Sequence, residues 1–270
     1  MIPLIKYGGI QRFKLSDAEL AIMVSSHNGE EVHRNTVRGI LRKGGLSEAD
    51  MFCGSHLPYY ENLIPEYLQE CDDKARQFHH NCSGKHAGML LTCLLLGYPI
   101  KDYWEADHPV QKKILDEFKN FLGQKRSSEL SLGIDGCGVP NYFLPLKIIA
   151  SVYQDLFRNE HLSVISNAIK NEPYMLAGAE RLDTIIIEEC GFIAKSGSEG
   201  LFCISIPEER IGVALKVDSG NDDISESAII RLLEVTGLLN SEKLQIFDRF
   251  KNYPIYTSTK VRSGQFKPCF

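Results

Sequence analysis

The chain has 270 residues, of which 43% are hydrophobic and 24% are charged, and its net charge is −5 at pH 7. These values are typical of a soluble globular protein that buries a substantial core. The negative charge and the scattered basic residues argue against a nucleic-acid partner, because proteins that bind nucleic acids concentrate Lys and Arg on one surface.

The apolar segments are too short for a membrane span. The longest, Met89 to Leu96, falls far below the roughly 20 residues that a transmembrane helix needs. The first residues also lack the charged start, the apolar stretch and the cleavage site of an export signal. We therefore expect a cytoplasmic protein with no membrane partner, whose eight cysteines are reduced thiols rather than disulfides.

Helical periodicity dominates the chain. Ser16 and Glu19 form a capping box that opens the first predicted helix. Ser83 is expected to cap a later helix that ends before Gly97. Helices are predicted over residues 17–23, 32–41, 84–96, 109–122, 146–157, 162–170, 178–189 and 225–239.

Strands are predicted late in the chain. Residues 201–206 and 212–217 read as paired strands joined by a turn, and an extended segment covers 255–266. No repeat or linker interrupts the sequence, so we predict a single domain over residues 1–270. The order of helices and strands favours an α/β (α+β) sandwich, with an antiparallel sheet and helices, over a doubly wound parallel sheet.

A polar segment from Ser25 to Glu30 brings hydroxyl, imidazole, amide and carboxylate groups together after an apolar run. A serine there acts as a nucleophile only if a nearby base takes its proton. The alternative, which this segment taken alone favours, is a polar loop that caps the following helix.

Two cysteines and a lysine form a second candidate group. Cys82 and Lys85 lie three residues apart at a predicted helix start, and Cys137 follows in a glycine-flanked turn. Zinc favours thiolate ligands in a tetrahedral arrangement and can keep one position for water. Lysine is a rare ligand because its amine must first lose a proton. The alternative is two unrelated buried thiols and a lysine near a helix N-terminus.

Three further sites each allow a functional and a simpler interpretation. Lys216 ends a predicted strand, where a desolvated amine suits a general base, or it faces solvent. Residues 195–200 can donate backbone N–H groups to an oxyanion, or form an ordinary turn. Asp135 can orient a ligand or form a turn.

Together, and in this order, these segments resemble the asparaginase II family, the Rhizobium-type L-asparaginases. The resemblance runs from about Ile2 to the C-terminal segment, and the string from Asn81 to Gly88 is specific. The matching residues are 25–30, 53–58, 81–88, 135–138 with Pro140, 198–200 and Lys216.

The resemblance implies a fold similar to that of serine β-lactamases and glutaminases, and a homodimer. It implies a small-molecule substrate, L-asparagine, hydrolysed to L-aspartate and ammonia. Two Ser–Lys pairs serve such enzymes, and one maps onto Ser26 and Lys216. The residues implied as ligands of a zinc ion (Zn2+) are Cys82, Lys85 and Cys137, and those expected to bind substrate are His27, His86, Asp135 and Cys203.

The chain departs from the family pattern near its start. The second Ser–Lys pair belongs to a Ser-x-x-Lys segment that precedes the residues matching Ile2 to Leu4, and no serine of this chain has lysine three positions later. Either the start codon has been misassigned or the family domain is N-terminally truncated. If it is truncated, we expect it to lack the second nucleophile and the early strands and to expose apolar surface as a result.

Two other functions stay open. The chain could be a catalytically impaired remnant or pseudoenzyme that keeps the zinc site, or an amidase for another small amide such as glutamine. The remnant predicts metal binding without turnover. Ammonia release from asparagine compared with glutamine separates the two amidase functions.

Overall fold

A computed structural model describes residues 1–69 and 77–269. The α-helices of these residues are α1 (Ile2–Lys6), α2 (Gly9–Phe13), α3 (Asp17–Ile22), α4 (Glu31–Lys43), α5 (Ile64–Gln69), α6 (Ser83–Leu96), α7 (Pro109–Ser127), α8 (Leu146–Asp155), α9 (Glu160–Asn171), α10 (Pro173–Leu176), α11 (Leu182–Cys190), α12 (Asp222–Val235), α13 (Ser241–Ile246) and α14 (Asp248–Lys251). The strands are β1 (Ser131–Ile134), β2 (Pro140–Phe143), β3 (Ile193–Gly197), β4 (Leu201–Ile206), β5 (Ile211–Lys216), β6 (Tyr253–Tyr256) and β7 (Arg262–Phe266).

Every strand pair within the described residues is antiparallel. β1 pairs with β2, β6 pairs with β7, and a three-stranded sheet has the order β3-β4-β5. The predicted mixed class, helices with antiparallel sheet, is therefore confirmed. The likeness to serine β-lactamases and glutaminases stays a prediction.

The middle strand of this sheet lies in the core. β4 buries both of its faces, since Phe202 and Cys203 point to opposite sides and are both almost inaccessible. Helix α8 packs across β5 and β4. The contact is close at Gly212, where a Cβ atom would lie 1.9 Å from the backbone oxygen of Ala150. Glycine lets the helix backbone approach the strand there.

All the predicted helices are present, with ends set by local capping. α9 begins earlier than predicted because the Asn159 side chain accepts hydrogen bonds from the backbone of His161 and Leu162. α12 also begins earlier than predicted, because Asn221 is its N-cap. In the part of the chain that the structure covers, no helix combines the length and the apolar character needed to cross a membrane.

The start of α6 differs from the prediction. Cys82 is the N-cap, and Ser83 is the first helical residue, buried, with its hydroxyl 3.3 Å from the Phe78 carbonyl oxygen. The next residue, Gly84, packs against the end of α3: a Cβ atom would lie 2.1 Å from the Ile22 carbonyl oxygen. This contact brings the cysteine segment against the loop that carries Ser26.

β3 was not predicted, because residues 195–200 read as a glycine-rich turn. The strand forms because β4 supplies its hydrogen-bond partners, with Lys195 opposite Cys203. The hairpin of β1 and β2 was also not predicted. Its strands are short and mostly exposed, so they lack a continuous apolar pattern.

Candidate active site and metal group

Ser26 lies in the loop after α3, and backbone hydrogen bonds hold that loop in place. The Ser26 N–H donates to the Leu176 carbonyl at 3.1 Å, and the Asn28 N–H donates to the Ala177 carbonyl at 2.8 Å. Arg181 adds a side-chain bond to the Ser26 carbonyl at 3.3 Å. These hydrogen bonds therefore fix the position of the loop that carries Ser26, the candidate nucleophile.

Lys195 is the amine that meets Ser26. Its Nζ lies 2.7 Å from the Ser26 Oγ and also donates to the Ser196 carbonyl. Burial lowers the pKa of Lys195 below the ordinary 10.5, and the nearby Arg181 acts in the same direction, whereas Asp183 opposes them. A buried lysine whose neutral form is favoured can accept the hydroxyl proton of a serine.

The predicted contact between Ser26 and Lys216 is not made in this structure, and a catalytic role of Lys216 stays a prediction. Lys216 is at the exposed end of β5, and its Nζ donates to the backbone carbonyls of Glu199 and Val217. Lys195, two strands away in the same sheet, takes the place expected of Lys216.

A cavity of about 480 Å³ opens beside Ser26. Its wall combines the Ser26 loop, the 179–181 segment, the end of β3 and the first turns of α12. The lining residues are Ser26, Asn28, Tyr59, Tyr60, Asn81, Ala179, Glu180, Arg181, Ser196, Gly197, Ser198, Asp222, Asp223, Ser225 and Glu226. This volume and polarity suit a small polar molecule.

Arg181 forms hydrogen bonds to two segments of this cavity wall, the Ser26 loop and β3. Its guanidinium donates to the Asn28 Oδ1 at 3.2 Å and to the Ser196 Oγ at 3.0 Å. Asp183, fully buried, accepts from the Ser196 N–H and hydroxyl through its Oδ1, and its Oδ2 lies 3.9 Å from Arg181. These contacts align β3 with the Ser26 loop.

The structure also brings the two distant cysteines together. The sulfur atoms of Cys82 and Cys137 and a carboxylate oxygen of Asp135 all lie within 4.8 Å of one another. Asp135 and Cys137 belong to the turn between β1 and β2, closed by bonds from Asp135 N–H to the Val139 carbonyl and from Gly138 N–H to the Asp135 carbonyl. These three residues form a group that could hold a metal ion.

Thiolate and carboxylate donors are those that Zn2+ prefers, so this donor set fits zinc. The two thiols are coupled. A hydrogen bond from Cys137 lowers the pKa of Cys82 to about 7 and raises the pKa of Cys137 itself to about 12. Cys82 is therefore the thiol that ionises first, at the N-terminus of a 14-residue helix where an anion is stabilised.

Lys85 lies in the same group but as a cation. Its Nζ is 2.7 Å from the Asp135 Oδ2. Burial opposes its charge, yet Cys82, Cys137 and Asp135 outweigh burial and raise the pKa of Lys85. To ligate a metal, Lys85 would have to lose a proton and exchange Asp135 for the ion. Its ligand role stays a prediction.

His86 is next to this group, on the buried side. Its Nδ1 lies 2.6 Å from the Tyr103 hydroxyl oxygen, which accepts a hydrogen bond from the Phe52 N–H. Burial lowers the pKa of His86, and the neighbouring Cys137 acts in the opposite direction. His86 is fully buried and does not line the cavity beside Ser26, and its role in substrate binding stays a prediction.

His27 and Cys203 also lie away from the cavity that Ser26 lines. His27 is fully buried, its Nδ1 accepts from the Gly29 N–H, and its Nε2 bonds the Ser83 Oγ at 2.9 Å. Cys203 is buried in β4 opposite Lys195. Asp135 belongs to the metal group. The predicted substrate contacts of these three residues and of His86 are thus not made from the wall of this cavity.

Sequence reasoning missed Lys195, Arg181 and Glu226. Lys195 stood in a segment interpreted as a glycine-rich turn, and its position in a strand depends on pairing with β4. Arg181 and Glu226 belong to segments predicted to be helical. A single charged residue in such a segment is normally predicted to face solvent. No local signal separated them from other surface charges.

A model of one protein family matches this chain. The family is described as L-asparaginase II, and the match covers residues 1–268. No curated protein matches the chain. Because the match covers almost the full sequence, and the structure places a serine, a lysine and a cysteine group at adjoining positions, the chain belongs to the L-asparaginase II family.

Proposed function

We propose that this chain hydrolyses the side-chain amide of L-asparagine, giving L-aspartate and ammonia. The observation that carries the proposal is the 2.7 Å contact between the Ser26 Oγ and the Lys195 Nζ. Burial favours the neutral form of Lys195, and Ser26 lines a cavity of about 480 Å³. The L-asparaginase II family supports amide hydrolysis in general.

The steps of the proposed hydrolysis follow from the Ser26–Lys195 pair. Lys195 takes the hydroxyl proton as the Ser26 Oγ bonds to the amide carbon, and the tetrahedral adduct collapses by breaking the C–N bond. The Lys195 ammonium returns its proton to the leaving nitrogen, so ammonia departs. A water molecule then cleaves the Ser26 ester, which yields the carboxylic acid and restores the serine.

Within residues 195–200, the Ser196 N–H is bonded to Asp183 and the Gly200 N–H to Asp222, so the other N–H groups of this segment remain the candidates for oxyanion stabilisation. Ser196, Gly197 and Ser198 all line the cavity. Backbone N–H groups aimed at the developing negative charge lower the barrier of such reactions.

A bound Zn2+ ion forms part of the proposal. Cys82 and Cys137 would hold it, with a third ligand from Asp135 or from deprotonated Lys85. Such an ion would add positive charge next to the cavity and offset the negative charge of the two thiolates that hold it. Since neighbouring cations favour a neutral amine, that charge would help Lys195 to remain a base.

We further propose that residues 1–270 form one domain that assembles as a homodimer in the cytoplasm. One hydrophobic cluster contains buried residues from Leu4 to Phe247, which supports a single domain. The homodimer and the cytoplasmic location come from the family resemblance and from the sequence.

Ammonia release tests the function. The purified chain should release ammonia from L-asparagine faster than from L-glutamine, and Ser26→Ala should remove most of this turnover while the protein stays folded by circular dichroism. Zinc content without turnover in the unmodified chain would instead identify a remnant. Faster ammonia release from L-glutamine than from L-asparagine would identify glutamine as the preferred substrate.

A further inference from the structure

The cavity beside Ser26 carries ionisable groups that the hydrolysis does not use. Arg181 lies on one side, and the first turns of α12 contribute Asp222, Asp223 and Glu226. Ser26 and Lys195 already supply the nucleophile and the base. Groups of both charge signs around a small cavity fit a ligand that itself carries both signs.

The three carboxyl groups that α12 contributes to the cavity wall differ in how they are engaged. Asp222 accepts a hydrogen bond from the Gly200 N–H at 2.7 Å. Asp223 bonds the hydroxyl of Tyr253, which raises the pKa of that tyrosine. The carboxyl group of Glu226 makes no hydrogen bond within residues 1–69 and 77–269. Glu226 is therefore the carboxyl left to meet a ligand.

The surroundings of Glu226 disfavour its negative charge, so a positively charged ligand group would stabilise it. Burial raises its pKa to about 8, and the carboxyl groups of Asp183, Asp223 and Asp222 add to the rise, while Arg181 opposes it. An ammonium group placed against Glu226 would supply the missing counter-charge and stabilise the ionised carboxylate.

Arg181 offers the complementary charge. Its Nη1 and Nη2 atoms bond Ser26, Asn28 and Ser196. A guanidinium has five N–H donors in a planar fork and these three bonds use three of them, so Arg181, which lines the cavity, retains donors for a carboxylate.

We infer that this cavity recognises the head group of an α-amino acid, with Glu226 binding the α-ammonium group and Arg181 the α-carboxylate. The inference rests on the proposed function, and it restricts the substrate to a zwitterionic amino acid whose side-chain amide reaches Ser26. Glu226 and Arg181 are specificity residues, and neither takes part in bond breaking.

Three small amides separate these roles. L-Asparagine has both head groups, succinamate lacks the ammonium group, and 3-aminopropanamide lacks the carboxylate. Binding is measured by calorimetry in a Ser26→Ala background, which removes the nucleophile and so prevents turnover. Ammonia release by the unmodified chain is measured in parallel.

Glu226→Gln should weaken binding of asparagine and 3-aminopropanamide by about tenfold or more, and leave succinamate within about twofold. Arg181→Lys should weaken asparagine and succinamate but spare 3-aminopropanamide. Glu234→Gln is the matched control, because Glu234 lies on the same helix, pairs with Arg231 and is outside the cavity lining. It should leave all three ligands unchanged.

An equal loss for all three ligands in Glu226→Gln would mark a merely structural role and overturn the inference. So would a lack of asparagine binding by Ser26→Ala protein whose thermal unfolding is normal. If the ligand pattern appears but the unmodified chain releases no ammonia, the proposed hydrolysis fails and the amino-acid site stands. If Glu226→Gln leaves the turnover of asparagine unchanged, the inference about the head group fails while the proposed hydrolysis stands.

Discussion

Lys195 and Lys216 show how the surroundings of a residue decide its chemistry. Both belong to the β3-β4-β5 sheet, one on each side of β4. Lys195 is held against Ser26 where burial lowers its pKa, whereas Lys216 is exposed at a strand end. Burial favours the neutral form of the Lys195 amine, and the neutral form is the one that can act as a base.

Replacing each lysine in turn tests this assignment. Lys195→Met should reduce turnover of asparagine by about 10²–10⁴-fold, because the proton acceptor of Ser26 is lost. Lys216→Met is the matched control and should stay close to the activity of the unmodified chain. Steady-state ammonia release measures both. A larger loss in the Lys216 variant would restore the pairing expected from sequence.

The pH dependence of turnover follows from the same residue. Lys195 acts as a base only when neutral, so activity should rise with pH as Lys195 loses its proton. Because burial lowers the pKa of Lys195, the midpoint of the rise should lie below 10.5. A kcat profile from pH 5 to 10 measures it. Lys195→Arg, which stays protonated, should lack activity across this range, and an unchanged profile in that variant would contradict the role.

At the scale of elements, the candidate site depends on close contacts between backbones. The N-terminus of α6 can reach the end of α3 only because Gly84 has no side chain. The β1–β2 turn then adds Asp135 and Cys137 to the Cys82 segment. These three elements are far apart in sequence, so their approach is decided by packing.

Gly84→Ala should lower the free energy of unfolding by about 1–3 kcal/mol, since the new methyl group meets a backbone oxygen that cannot rotate away. Gly39→Ala is the control. Gly39 lies within α4 with open space around it, and alanine there should stabilise the helix by about 0.5–1 kcal/mol. Urea unfolding followed by circular dichroism measures both. Equal stability of the two variants would mean that α6 and α3 are not packed this closely.

At the scale of the whole molecule, the Ser26–Lys195 pair and the group of Cys82, Asp135 and Cys137 are neighbours. Cys82 and Lys85 both act on the pKa of Lys195, in opposite directions. The Asn81 carbonyl accepts a hydrogen bond from the His27 N–H at 3.2 Å, which ties the α6 start to the Ser26 loop. A change of charge in the cysteine group therefore affects the pKa of Lys195.

Cys137→Ala should lower the zinc content of the purified chain, because it removes one of the two thiolates from the proposed donor set. Cys93→Ala, at a buried thiol elsewhere in α6, should leave the zinc content unchanged. Metal analysis by mass spectrometry measures both. Equal zinc in the two proteins would exclude Cys137 as a ligand.

Local patterns were sufficient for most helices and for the β4–β5 pair. Capping residues, glycine ends and apolar periodicity act over a few residues, so they can be read from neighbours in the chain. The polar strings around Ser26, Cys82 and Cys137 also marked the candidate site, because together they resemble the family whose model matches residues 1–268.

The tertiary structure alone decided which lysine meets Ser26, that Asp135 joins the two thiols, and that Arg181 and Glu226 share the cavity. The same packing buried His27, His86 and Cys203 outside the lining of that cavity. The physical reason is that burial and distance set the protonation and reach of a side chain, and both arise from segments far apart in sequence.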